Sequence, residues 1–450
     1  MELSGKRCVV VGLGETGLSV VRFLRTRGAH IQVNDQRDRE ALADAAVQAE
    51  ALGAELFLGG HPEKAFEGAD VVVVSPGVPQ LEALDNAARR GAEVLGEIEL
   101  ASRFLRAPVV AVTGTNGKST VTTLIGKMCE RLGRPLFVGG NLGRPMIEAV
   151  DTDAGSGRGL LVVELSSFQL ERLSTFRAHV AVLLNVSDDH LDRYDSFEAY
   201  RAAKGHIFDR QEGDDYAIVP AGAPELEALV QGKGSVARFD GDDGTVRVEG
   251  GAIVDFESSL RVPLESLRIR GSHNVSNACA AALAARFAGV GSEDIAQVLQ
   301  SFEGLPHRME FVDSVEGIEF IDDSKATNVG AAVASLAGLS GAAGKVVLIA
   351  GGVDKGGAYS PLVDEMDRRG RGLVLIGDAA PLIEEAFVDS KLTRSRARTM
   401  NEAVEVAASL ASRGDTVLLA PACSSFDMFR SYADRGDAFQ RAVARLGERG

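Results

Sequence analysis

The chain has 450 residues, 45% of them hydrophobic, with 51 glycines and a formal charge of −16 at pH 7. That length predicts about three domains, and the acidity argues against non-specific nucleic-acid binding, which needs a basic surface. No apolar run approaches the roughly 20 residues that cross a bilayer, and Cys8, Cys129, Cys279 and Cys423 are scattered, without metal-ligand spacing or the density of a disulfide framework.

The first predicted strand, Arg7–Val11, opens almost at once, without the layout of a signal peptide, so a reducing cytoplasm is the expected compartment. It leads into a turn over Gly12–Gly17 and a helix over Leu18–Arg27. A second strand, Ile31–Asn34, ends at Asp35, and a third, Val71–Val74, runs into Ser75-Pro76-Gly77. Alternation of this kind predicts a parallel sheet. The run Gly12-Leu-Gly-Glu-Thr-Gly17 after a strand, with an acid ending the next strand, is a dinucleotide-binding pattern. Its glycines permit a tight turn and the close approach of any diphosphate, and Asp35 can read a ribose or a base edge. An NAD-type cofactor and a UDP-linked substrate would use the same features, and glycines serving only helix–sheet packing would look alike.

The second block opens with Val109–Thr122, VVAVTGTNGKSTVT. A β-branched strand enters a glycine-bearing turn, and Lys118, Ser119 and Thr120 begin a helix. Backbone N–H groups of such a turn and the positive end of the helix form a phosphate cradle. Lys118 can reach the β- and γ-phosphates, and a Ser119 or Thr120 hydroxyl can hold Mg²⁺. The pattern departs from the full G-x-x-x-x-G-K-[ST] form, because Val112 stands where its first glycine would be. Strands follow at Leu160–Val163 and Val180–Leu184, then a helical run over Phe197–Phe208. Glu164 ends an apolar strand, where ligands of α/β domains bind, and a carboxylate there suits Mg²⁺. Asn185-Val-Ser-Asp-Asp-His190-Leu-Asp192 places an acidic cluster and one histidine at the next strand end, and His190 is a candidate ligand. Lys204, on a helix, would by itself be a snorkelling side chain. Near Mg²⁺ it could contribute only if neutralised or converted to a carbamate. Residues 236–269 are predicted to form a small antiparallel insertion, and a helix over Asn274–Phe287 closes the block.

The third block has predicted strands near Ile318–Ile321, Val346–Ile349, Leu373–Ile376 and Val417–Leu419, with helices between them and a strand order that the sequence does not give. Polar clusters follow three of the strands: Asp322-Asp-Ser-Lys325-Ala-Thr327-Asn328, Gly351-Gly-Val-Asp-Lys355-Gly-Gly, and Pro421-Ala-Cys-Ser-Ser425-Phe-Asp. Each alone reads as an ordinary αβ loop, but their shared position beyond apolar strands predicts one pocket. Linkers are expected near Gly96–Glu99 and Gly304–Pro306, giving domains 1–97, 98–304 and 305–450.

The motifs TGTNGKST, ELSSFQL, LNVSDDHLDRY, YRAAKGHIF, GSHNVSNA, LPHRME and DDSKATNVGA, in this order, closely resemble the Mur ligase family over essentially the whole chain. DDSKATN together with PACSSFDMF resembles the D-glutamate-adding branch, and the DNPR signature of the diamino-acid-adding branch is absent. The resemblance implies an α/β protein of three domains: a Rossmann-like N-terminal domain, a central P-loop-type ATPase domain with a small β insertion, and a Rossmann-like C-terminal domain. It implies an ATP-dependent ligase of peptidoglycan precursor synthesis that joins D-glutamate to UDP-N-acetylmuramoyl-L-alanine through an acyl phosphate. A monomer without membrane insertion is expected.

Residue by residue, the resemblance implies that Gly114, Thr115, Asn116, Gly117, Lys118, Ser119 and Thr120 cradle ATP, with Asn274, Asn277, Arg308 and Asp323. It implies two Mg²⁺ ions at Ser119, Glu164, His190 and Lys204, with Lys204 carbamylated. Thr16, Asp35, Arg37, Gly77, Asn141 and His190 match contacts to the UDP-substrate, so the first block binds that substrate and not NAD. Thr327, Lys355, Ser425 and Tyr432 match contacts to D-glutamate, and Lys325 joins Lys118, His190, Lys204 and Arg308 among the catalytic positions. Tyr432 stands where the family often has Phe, and GGVDKGG departs from the commonest form of its loop. The competing readings are another Mur ligase or a folylpolyglutamate synthase, an NAD-dependent oxidoreductase built on Gly12–Gly17, and a non-catalytic nucleotide-binding module.

Overall fold

The computed structural model describes residues 1–189, 193–269, 271–339 and 344–448. Three sheets follow one another along the chain. The first contains β1 (Arg7–Val11), β2 (His30–Asp35), β3 (Glu55–Leu58), β4 (Val71–Val74) and β5 (Glu93–Gly96), parallel throughout, in the order β3-β2-β1-β4-β5. The chain steps outward from β1 through β2 and β3, then returns to the other side of β1. The C-terminal ends of β1 and β4 therefore flank the switch point where open α/β sheets bind ligands. β1 and β4 have the boundaries that the sequence predicts. The first helix starts three residues earlier than predicted, at Glu15.

The central sheet has nine strands: β6 (Val109–Thr113), β7 (Leu136–Gly140), β8 (Leu160–Glu164), β9 (Val180–Leu183), β10 (Tyr216–Pro220), β11 (Ser235–Phe239), β12 (Val246–Glu249), β13 (Ala252–Asp255) and β14 (Arg261–Pro263). Their order is β14-β13-β12-β11-β10-β9-β6-β8-β7. The expectation of a small antiparallel insertion over 236–269 needs correction. β11 pairs parallel with β10 and with β12, and only the last two pairings, β12 with β13 and β13 with β14, are antiparallel, so the segment extends the main sheet. The physical reason is a shared core: Phe239, Val246, Ile253 and Val262 pack in one cluster with the helix Ser272–Phe287. That helix does not close the block either, because Ser292–Ser301 forms one more.

The third sheet comprises β15 (Glu310–Val315), β16 (Ile318–Asp322), β17 (Val346–Gly351), β18 (Gly370–Ile376), β19 (Thr393–Arg396) and β20 (Thr416–Leu419), in the order β15-β16-β20-β17-β18-β19. The two edge strands, β15 and β19, escape the sequence reading. An edge strand has one neighbour, and neither EFVDSV nor TRSR shows the apolar run of a strand buried on both faces.

The first expected linker, Gly96–Glu99, is not a loose connection. It enters a buried helix, Glu97–Ser102. The Glu99 carboxylate accepts backbone N–H bonds from Ser174, Thr175 and Phe176, the Thr175 hydroxyl and the Arg103 guanidinium, and these outweigh burial to hold its pKa down to about 2. The first and central sheets are thereby joined through buried charge-assisted bonds. The second linker is more open. Gly304 has φ +100°, and a Cβ added there would meet nothing within 4 Å, so this stretch has room to turn. No helix among the described residues is long and apolar enough to cross a membrane.

Candidate active site

The phosphate loop is built where β6 meets the helix Lys118–Cys129. Gly117 caps that helix with φ +86°, and a Cβ there would lie 2.3 Å from Asn277 Oδ1, so conformation and space both require glycine. Asn185, just past β9, pins the loop: its Oδ1 accepts from the Asn116 N–H at 2.9 Å, and its carbonyl accepts from the Thr115 N–H at 3.0 Å. The Thr115 hydroxyl meets Tyr200 Oη at 3.0 Å and accepts from the Ser187 N–H at 3.1 Å. These bonds set the loop's shape from beneath.

Two lysines converge on it. Lys118 Nζ donates to the carbonyls of Gly114 and Thr115 at 2.9 and 2.8 Å. Lys204 Nζ, buried, donates to the Gly114 carbonyl at 2.9 Å and lies 4.6 Å from the Tyr200 ring centroid. Burial lowers the pKa of both, and for Lys204 the neighbouring Lys118 charge pushes further, well below the ordinary ammonium value. A helix lysine that the sequence leaves unremarkable thus sits directly under the phosphate loop, where burial and the Lys118 charge both disfavour its charged form.

Next to the loop, a cavity of about 560 Å³ collects residues from two sheets. The central sheet contributes Lys118, Ser119, Asn141, Glu164 and Asp189, and the C-terminal sheet Arg308, Lys325, Thr327, Lys355, Ser425 and Tyr432. Glu164 Oε1 accepts from the Asn141 amide at 2.7 Å. Its other oxygen is buried and has no hydrogen-bond partner among the described residues. A carboxylate oxygen left in this way is costly unless something cationic meets it. With the nearby Ser119 hydroxyl it forms a hard oxygen donor set of the kind Mg²⁺ requires. His190, the other sequence-predicted ligand, lies outside the described residues.

A second cavity, of about 250 Å³, shares Asn116, Gly117 and Arg308 with the first and is lined further by Thr120, Asn274, Asn277 and Asp323. Asn277 donates to Asn274 Oδ1 at 3.4 Å. Asp323 is buried and accepts from the Ser335 hydroxyl, and burial pushes its pKa up to about 6. Arg308 lines both cavities, facing Glu164 and Asp323, and burial lowers its pKa against the pull of those two carboxylates. Lys325 Nζ stands 4.0 Å from the Tyr432 ring centroid, so the tyrosine provides an aromatic face for a cation. Burial, then the Arg308 charge, bring Lys325 down to about 8.

The three polar clusters of the third block do converge, because β16, β20 and β17 are neighbours in the sheet. Arg435, fully buried, ties them together. Its guanidinium donates to Ser324 Oγ and the carbonyls of Ser324, Gly351, Cys423 and Ser424 at 2.9 to 3.4 Å. The sequence offers no sign of this role, since Arg435 lies in an ordinary amphipathic helix, Tyr432–Gly447. Asn185, Ser187, Asp189 and Asn328 lie in strand-end runs that the sequence reading singles out, but it gives none of the four a role of its own. Asn328 donates to Asp189 Oδ2 at 3.0 Å, and Lys355 pairs with Asp189 Oδ1 at 3.4 Å, so C-terminal and central sheets touch across the cavity.

The first-sheet residues lie outside both cavities. Asp35 is already engaged: Oδ2 accepts from the Leu13 N–H at 2.7 Å, and the Arg37 guanidinium grips both oxygens at 3.0 and 2.8 Å. Burial would raise its pKa, but Arg37 and the backbone bonds outweigh it and hold the carboxyl low. Thr16 is half-buried in the first helical turn, and Gly77 is exposed in the turn after β4. Elsewhere, His307, Glu310 and Asp322 bring candidate ligand atoms within 4.8 Å of one another. Hydrogen bonds close that group, with His307 Nδ1 on Asp322 and the Gln440 amide donating to both carboxylates, which makes it a latch at the start of the third block.

Known proteins resemble this chain along its length. The description "Mur ligase MurD-like, N-terminal domain" matches residues 6–96, "Mur ligase middle domain" residues 112–285, and "Mur ligase, glutamate ligase domain" residues 307–423. The chain is 45% identical over 456 residues to the UDP-N-acetylmuramoylalanine--D-glutamate ligase of Geobacter metallireducens, covering 99% of each. It is 44% identical to the protein of the same name from Desulfosudis oleivorans, covering 100% of this chain and 98% of that one. Among solved structures it matches the MurF ligase of Thermotoga maritima in complex with ADP, with a TM-score of 0.61, 18% identity and coverage of 99% and 96%. At that identity the likeness is one of fold.

Proposed function

The chain belongs to the Mur ligase family, and on that premise we propose that it uses ATP to join D-glutamate to UDP-N-acetylmuramoyl-L-alanine. The observation that carries the reading is the 560 Å³ cavity, where phosphate-loop groups of the central sheet face cations and hydroxyls of the C-terminal sheet. A ligase that must bring ATP, a carboxylate and an amine together needs such a shared chamber.

In this reading, ATP lies in the smaller cavity against Asn274, Asn277 and Asp323, its phosphates on the N–H groups of Gly114 to Thr120. Lys118 and Arg308 stabilise charge on the transferring γ-phosphoryl group. The alanyl carboxylate attacks that phosphorus, the bond to the bridging oxygen breaks, and ADP leaves an acyl phosphate. The D-glutamate amine attacks the carbonyl carbon, loses a proton, and phosphate departs as the tetrahedral intermediate collapses. Lys355, Thr327 and Ser425 hold the D-glutamate carboxylates and Tyr432 provides a flanking ring, while Lys325 stands beside the reacting groups. The UDP end rests on the first sheet at Thr16, Asp35, Arg37 and Gly77, with Asn141 and His190 toward the reacting carboxylate.

Mg²⁺, when bound, screens the repulsion between two anionic substrates. Ser119 and Glu164 would hold one ion, supported by the unpartnered Glu164 oxygen, and His190 and Lys204 a second. Lys204 would serve as a carbamate, and its depressed pKa favours the neutral amine that adds carbon dioxide. The domains in this reading are 1–97, 98–304 and 305–450, with a hinge near Gly304–Pro306 that lets the last close on the second. A cytoplasmic monomer is consistent with it.

The test is phosphate release from ATP and Mg²⁺ with UDP-N-acetylmuramoyl-L-alanine, adding D-glutamate, L-glutamate or other amino acids singly. Release that needs both the UDP-substrate and D-glutamate is the expected result. Release with another amino acid would move the specificity, and none with any acceptor would overturn the reading.

A further inference from the structure

Arg193 belongs to the loop after β9 in the central domain, yet its guanidinium reaches the first domain. Nη1 donates to the Pro76 carbonyl at 3.2 Å and Nη2 to the Val78 carbonyl at 3.1 Å. These two carbonyls bracket Gly77, in the turn that follows β4 at the sheet's switch point. The same turn is anchored at its start, where Ser75 Oγ donates to the Gly12 carbonyl at 2.9 Å. The turn after β4 and the glycine turn after β1 therefore form one unit, and Arg193 holds its outer half.

The other side of the guanidinium faces the reaction chamber. Its Cζ lies 3.8 Å from the centroid of the Phe168 ring, and Phe168 lines the 560 Å³ cavity four residues beyond Glu164. Phe168 stacks in turn on Tyr194, centroids 5.9 Å apart and planes 13° from parallel. A planar group with several donors in a fixed fork can satisfy two carbonyls and an aromatic face at once, which an ammonium cannot.

We propose that Arg193 is a positioning residue for the UDP-linked substrate, fixing the Pro76–Val78 turn of the first domain against the Phe168 wall of the reaction chamber. The proposal rests on the substrate reading above. Its consequence is selective: the span between the uridine end and the reacting carboxylate is set by this contact, whereas ATP and D-glutamate bind without it.

The test is direct titration of wild type, Arg193→Met and Arg193→Lys with UDP-N-acetylmuramoyl-L-alanine, alongside steady-state KM values for all three substrates. Met keeps the unbranched apolar stem out to the position of Nε but loses the guanidinium and with it both donors. Its Kd and KM for the UDP-substrate are expected to rise about tenfold, with KM for ATP and D-glutamate within about twofold of wild type. Lys, which can serve one carbonyl at a time, is expected to fall between. An unchanged Kd for the UDP-substrate in Arg193→Met, or equal rises in all three KM values, would overturn the proposal. If Met does not fold, Lys alone decides, by whether the UDP-substrate constants shift selectively. Absence of turnover in the wild type would instead sink the substrate reading, and the titration still separates the two.

Discussion

At the end of β1, a Cβ on Gly17 would lie 2.0 Å from the Gly12 carbonyl oxygen, and at the end of β6 a Cβ on Gly117 would lie 2.3 Å from Asn277 Oδ1. Both turns lead a parallel strand into a helix, and both need glycine for close approach. Their surroundings differ. The first turn is followed by Glu15, and the nearby Asp35 is spent on Leu13 and Arg37. The second has Lys118 and Lys204 on its carbonyls, and Arg308 and Lys325 on the cavity it borders. Glycine spacing encodes a backbone shape that accepts a diphosphate, and the charges around it decide whether the phosphate is held or transferred.

The largest effect expected from this contrast is that of Lys118→Ala. Turnover should fall by about 10²- to 10³-fold, as when a preorganised charge-stabilising group is lost, while the melting temperature stays near wild type. Wild-type phosphate release in this variant would refute the role of the second turn. Gly17→Ala should act on the fold instead. Its clash is with backbone, which cannot swing aside, so a loss of about 1–3 kcal/mol is expected in denaturant unfolding. Gly117→Ala clashes with a side chain and takes an unfavourable positive φ, at about 1–2 kcal/mol, and should raise KM for ATP more than KM for the UDP-substrate. If the two glycine variants had the same phenotype, the contrast between the turns would break.

A pH profile sharpens it further. Lys325 is an ammonium below about 8 and neutral above. Because its folded pKa lies below the ordinary 10.5, the unfolded chain binds more protons between those values, so Lys325 makes stability rise with pH there. A chemical step that needs its charge weakens over the same interval. Activity that falls through pH 8 while melting temperature does not is the expected pair, and Lys325→Arg, permanently charged, should flatten the activity limb. The smallest effect belongs to Asp35→Asn. A few-fold rise in KM for the UDP-substrate with KM for ATP unchanged is expected, and kinetics with each substrate varied in turn would show it. The Asp35 contribution to stability is complete above the unfolded carboxylate pKa and fades as pH falls through its lowered folded value.

The sequence reading succeeds where local pattern and buried position coincide. The strands β1, β4 and β8, Glu164 at a strand end, and Lys118 at a helix start are legible because apolar runs stop where ligands bind. It fails where tertiary pairing decides. β11 has no mark that distinguishes an extension of the main sheet from a separate hairpin, and β15 and β19 are edges without a two-sided core. Arg435, Arg193 and the loop-supporting role of Asn185 depend on partners far along the chain. Lys204 enters only through family resemblance, since nothing in YRAAKGHIF reveals that its helix runs beneath Gly114.

The division of labour between the two turns is tested most directly by amide hydrogen exchange of the wild-type protein with ADP and Mg²⁺, with UDP-N-acetylmuramoyl-L-alanine, and with NAD, each alone. The account predicts that ADP slows exchange over residues 114–129 and leaves 12–26 unchanged, that the UDP-substrate slows 12–26 and the turn at 75–78, and that NAD changes neither. Protection of 12–26 by NAD, or by ADP in place of the UDP-substrate, would contradict it.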